Sequence, residues 1–62
     1  MYKFKAYCVE NGIKQKELAD LLGLSISNVN SKLNGRLKWT LEQVKIITQT
    51  YGISADLYFF GQ

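Results

Sequence analysis

An all-α fold, a compact bundle of about five short helices, is what this sequence predicts, and three observations carry the prediction. Gly12, Gly23, Gly35, Gly52 and Gly61 each follow an amphipathic stretch instead of clustering, which is how residues that close helices in the left-handed conformation are spaced. Apolar residues recur around four candidate N-caps, Ile13 with Leu18, Leu24 with Val29, Trp39 with Val44 and Ile53 with Tyr58, in the register of a hydrophobic staple. No proline interrupts the chain, and no alternation of apolar and polar residues argues for a strand.

The first helix is expected over about 2–11, with Phe4, Tyr7 and Cys8 on one face. The second, 15–22, begins after Lys14, a poor cap that Glu17 partly rescues from three residues on. Leu18 and Leu22 share its inner face, and Ala19 is small enough to let a neighbouring helix approach. The third, 26–34, starts from the good cap Ser25 and turns Val29 and Leu33 inward. The fourth, 41–51, starts from Thr40, with Gln43 completing a capping box, and places Leu41, Val44, Ile47 and Tyr51 on its inner stripe. The last, 55–60, follows Ser54 and is short. Leu21 and Ile46 fall off these stripes and point to a partner surface.

At 62 residues the chain is read as one domain, 1–62, near the lower size limit for a core without staples. Cys8 is the only cysteine and histidine is absent, so neither an intramolecular disulfide nor a zinc site of the usual spacing is available. The same inventory leaves no convergent base, nucleophile and metal-ligand set, so an enzyme is not expected, and no cofactor either. Cys8, on an apolar face, is read as core. The longest apolar runs, such as "LYFF" at 57–60, fall far below the roughly 20 residues that span a bilayer, and no signal peptide opens the chain. A soluble protein of a reducing cytoplasm is the expectation.

Eight Lys and Arg against five Asp and Glu give a net charge of +3, and its distribution says more than its size. Lys32, Arg36 and Lys38 lie together with no acid among them, while Glu10, Glu17, Asp20 and Asp56 lie well away in sequence. Just before these cations, "LSISNVNSKLNGRLK" (24–38) holds three serines and three asparagines. The tight connection Gly23–Leu24–Ser25 suits two helices crossing near a right angle, the helix-turn-helix arrangement. With Val29 and Leu33 inward, Ser27 and Ser31 point nearly opposite, flanked by Asn28, Asn30 and Asn34. Serine and asparagine are indifferent helix formers, which weighs against their use there for stability alone. In a DNA major groove, small side chains let a helix sit deep, asparagine can pair with adenine, and serine can donate or accept. Lys32, Arg36 and Lys38 then suit phosphates. Ile26 either touches a thymine methyl or is half-buried against the second helix, and Gln15 either brings its amide and the free N–H groups of its turn to a phosphate or faces solvent.

The order Gln15, Ala19, Gly23, Leu24, Ser25, Val29, Leu33, Gly35, followed by an apolar fourth helix and the closing "DLYFF", resembles the repressor and Cro-type helix-turn-helix domains of bacteriophages and bacteria. The likeness runs from Ile13 to Phe60. It implies a bundle of about five helices that binds double-stranded operator DNA in the bacterial or phage-infected cell. It also implies that Ile26, Ser27, Asn28 and Ser31, with Asn30, read bases, and that Gln15, Asn34, Arg36 and Lys38 lie near phosphates. Lys14 stands where a capping Thr or Ser is usual and adds a cation near the backbone. A basic N-terminal arm and a second domain, present in some members, are not expected here.

A single small domain gains site affinity by binding as two copies on a pseudo-palindrome, so a homodimer on DNA is expected, with Ile46, Tyr58, Phe59 and Phe60 as candidate surfaces, at least one of the three rings being expected to fill the core instead. The competing reading is a protein-binding module on the same scaffold, such as an antitoxin or antirepressor, using the aromatic C-terminus with Leu21 or Ile46.

Overall fold

Helix ends leave backbone groups without partners, and the residues that satisfy them divide this chain. The computed structural model describes residues 2–60: helices α1 (Lys3–Glu10), α2 (Gln15–Leu22), α3 (Ile26–Leu33) and α4 (Leu41–Tyr51), then a π-helical segment over Asp56–Phe60. No strand occurs among the described residues. Gly61, read above as a closing residue, lies outside them.

The Thr40 hydroxyl accepts from the Gln43 N–H at 3.1 Å, and the Gln43 carboxamide oxygen accepts from the Thr40 N–H at 3.1 Å, so the predicted capping box is formed. Thr40→Ala is expected to cost about 1 kcal/mol, lowering the thermal midpoint by roughly 4–8 °C in a circular-dichroism melt. Ser25 and Ser54 cap as expected, their hydroxyls accepting from Asn28 N and Leu57 N. Lys14 makes no side-chain cap, and the rescue expected of Glu17 gives way to a tertiary contact: its carboxylate accepts from the Tyr51 hydroxyl at 2.7 Å, tying the first turn of α2 to the end of α4.

Each α-helix contributes one side chain with no solvent exposure: Phe4 from α1, Leu18 from α2, Val29 from α3 and Ile47 from α4. Around Phe4 gather the rings of Phe59 at 5.1 Å, Tyr7 and Trp39 at 6.0 Å and Tyr51 at 6.4 Å. Aromatic rings bury more area per residue than aliphatic chains, which is how so short a chain assembles a core without a disulfide. Cys8 belongs to that core as expected.

Three expectations change. Leu41 is 78% exposed, because it sits in the first turn of α4 and the inward stripe begins at Val44. Phe59, offered above as a dimer residue, is 4% exposed and packs against Phe4 and Trp39. Tyr58 is half-buried with its ring 5.2 Å from Tyr7, which leaves Phe60, with Leu57, as the exposed apolar side chains of the π segment. The wider π turn spaces side chains differently from an α-helix, so which ring faces inward does not follow a 3.6-residue period. No helix among the described residues is long and apolar enough to cross a membrane.

Candidate nucleic-acid interface

Between α2 and α3 the chain reverses within three residues. Gly23 adopts φ 69°, a left-handed conformation that a side chain disfavours, and the Leu24 N–H donates back to the Ala19 carbonyl at 2.9 Å. A Cβ on Gly23 would meet nothing within 4 Å, so backbone conformation alone asks for glycine here. Ala19 is buried and Leu24 partly so, which lets α3 cross closely over α2 as the helix-turn-helix reading requires.

Val29 and Leu33 hold α3 from beneath. Ile26 and Ser27 are exposed, while Asn30, Ser31 and Asn34 are half-exposed one turn and two turns further on. The outward face is therefore a stripe centred on Ser27, Asn30 and Ser31, polar apart from Ile26, which is 50% exposed. Asn28 lies on the flank of this stripe. Its Oδ1 is shielded from solvent and has no hydrogen-bond partner, so in this rotamer it does not offer the oxygen and nitrogen together that a paired bond to adenine needs. Asn30 lies within the stripe.

On the same flank, four residues on, Lys32 departs from its expected place among the phosphate ligands. It is 7% exposed, its ammonium donates to the Lys38 carbonyl at 2.8 Å, and it stands 5.8 Å from the centroid of the Trp39 ring. A lysine so buried needs an acceptor and a ring face, and here it uses them to fasten the return segment 36–39 against α3. Asn34 departs too. Its Nδ2 donates to the Asn30 carbonyl at 2.8 Å and its Oδ1 accepts from Lys5 Nζ at 2.6 Å, so both ends of its amide are used within the protein.

Beyond α3, Gly35 at φ 80° closes the helix, with Gly35 N bonded to the Lys32 carbonyl at 3.2 Å and Arg36 N to the Ser31 carbonyl at 2.9 Å. This paired closure sets the direction in which Arg36 and then Lys38, both exposed, leave the helix. At the start of α2, Lys14 is exposed and Gln15 half-exposed. No acidic residue occurs from Leu21 to Leu41. Lys16 and Asp20 pair at 3.3 Å on an open surface, where such a pair contributes little. The structure thus keeps Ile26, Ser27, Asn30 and Ser31 on one face, followed by Arg36 and Lys38, while Lys32 and Asn34 serve internal contacts.

Sequence reading passed over Lys5. Its ammonium stands beside Asn34, 29 residues away in the chain, and no local pattern signals that proximity. Of the titratable groups, Cys8 is pushed up to about 11 by burial and then by the Glu17 charge, which leaves it an unreactive thiol near neutral pH. Burial, then the hydrogen bond and charge of Glu17, push the Tyr51 hydroxyl upward as well.

Compared with known proteins, the chain matches the family model of the BetR domain over residues 4–62. No curated protein and no solved structure matches it significantly.

Proposed function

Since the chain belongs to the BetR domain family, a family of helix-turn-helix-like DNA-binding domains, we propose that it is a sequence-specific transcriptional regulator of the phage repressor or Cro type. One observation carries the reading: the outward stripe of α3 is uncharged and, apart from Ile26, made of small polar side chains, and two exposed cations follow it. Ile26, Ser27, Asn30 and Ser31 meet base edges in the major groove. Lys14, Gln15, Arg36 and Lys38 meet phosphates, the helix start of α2 adding its free N–H groups. The protein acts as a binder with no catalytic step, on the DNA of a bacterial or phage-infected cell.

Two copies on a pseudo-palindromic operator, with half-sites about one helical turn apart, supply the site affinity that one domain lacks. Phe60 and Leu57, 57% and 53% exposed, are the surface offered for that pairing, with half-buried Ile46 beside α4's exposed positions. The same exposed side chains, with Leu21, favour the competing module that binds another protein. Salt separates the two: groove binding weakens with a log–log slope of about −0.9 per phosphate neutralised, whereas an apolar contact hardly responds.

Selection of bound duplexes from a random pool tests the proposal directly, and enrichment of one short motif is the expected outcome. On that motif, Asn30→Ala is expected to cost about 1–3 kcal/mol while barely affecting random DNA, and Arg36→Ala to weaken both alike. A pool that stays random after repeated rounds removes the claim of sequence specificity.

A further inference from the structure

Resting on the DNA-binding reading above, we propose that Lys5 of α1 is a phosphate-binding residue, extending the interface to a helix outside the helix-turn-helix itself. Lys5 Nζ donates to Asn34 Oδ1 at 2.6 Å, and Asn34 in turn donates to the Asn30 carbonyl at 2.8 Å. This two-bond chain fixes the ammonium at the C-terminal end of α3, two residues before Arg36.

The chemistry of the partner decides what the ammonium can do. Asn34 is a neutral amide, and no carboxylate lies within ion-pair distance of Lys5 among the described residues. One of three ammonium donors is engaged, and the positive charge is uncompensated. Half-burial of the side chain removes part of the rotamer freedom that a surface lysine loses when it grips an anion. A cation held on Asn34, at the end of α3 and with no carboxylate in ion-pair distance among the described residues, is matched to the phosphate backbone and not to base edges, because an ammonium acts as a point charge. With Lys32 turned inward, Lys5, Arg36 and Lys38 form the cationic end of the site.

The alternative role, a cation that only complements the negative end of the α3 dipole, makes a different prediction. Salt titrations of DNA binding with wild-type protein, Lys5→Gln and Lys5→Arg separate them. Lys5→Gln keeps a donor for Asn34 and loses the charge. It is expected to flatten the log–log salt slope by about 0.9, equally on selected and random DNA, so that a fourfold rise in salt costs it roughly threefold less affinity than it costs wild type. Lys5→Arg is expected to keep the wild-type slope. A Lys5→Gln slope equal to wild type overturns the proposal and leaves a helix-end cation. Amine acylation mapped on the wild-type protein is independent of variant folding: DNA is expected to protect Lys5 as it protects Lys38, and a Lys5 acylated equally fast with and without DNA again overturns the proposal. Absence of any salt-dependent binding by wild type, seen before a variant is made, takes away the DNA-binding reading on which this one rests.

Discussion

Phe4→Ala is expected to leave the domain largely unfolded at room temperature. The Phe4 ring has no solvent exposure and is surrounded by the rings of Tyr7, Trp39, Tyr51 and Phe59, which belong to α1, the return segment, α4 and the π segment. Deleting a buried phenyl group costs about 3–5 kcal/mol, transfer and cavity terms together. A single core in a chain this short rarely supplies more than about 3–5 kcal/mol in all. The loss is therefore comparable with the whole. α3 rests on that core through Val29 and Leu33, so DNA binding should disappear with the fold. A far-ultraviolet circular-dichroism melt checks this, and a variant that melts within about 10 °C of wild type would show that the aromatic cluster is not the centre of the core.

Ser27→Glu is the complementary case, expected to spare the fold and destroy binding. Ser27 is the second residue of α3 and is exposed, so a carboxylate there faces the positive end of the helix dipole and adds about 0.3–1 kcal/mol of stability. The same carboxylate would be carried into a groove lined by phosphates. Opposed like charges at an interface cost several kcal/mol, and roughly 2–4 kcal/mol corresponds to a loss of about 30- to 1,000-fold in affinity. Fluorescence anisotropy on a labelled duplex, beside a melt of the same preparation, reads both effects. An unchanged affinity in a folded variant would mean that the outward face of α3 does not meet DNA.

Local signals made the helix boundaries legible. The run from Ser25 to Gly35 carries its own start and stop, a capping hydroxyl and a glycine that takes positive φ, and the observed α3 begins as expected and ends at Leu33 with Asn34 as its cap. Val29 and Leu33 were legible as the inward pair because helical periodicity needs no knowledge of the neighbours. What escaped depends on partners that periodicity does not contain. Lys32 turns inward because Trp39 and the Lys38 carbonyl receive it, a consequence of the path taken after Gly35. Lys5 meets Asn34 only once α1 lies beside the end of α3. Of the three consecutive rings at Tyr58, Phe59 and Phe60, the one that enters the core is chosen by a π turn, where the α-helical period does not apply. The candidate site was accordingly legible as a helix face, and not in its flanks.

A titration of isotopically labelled protein with duplex DNA, followed by amide shifts in two-dimensional nuclear magnetic resonance spectra, tests the central claim most directly. The largest changes are expected at Gln15, from Ile26 to Ser31, and at Arg36 and Lys38, with the Lys5 and Asn34 amides moving alongside. Changes confined to Leu57, Phe60 and the exposed end of α4, with α3 silent, would contradict it.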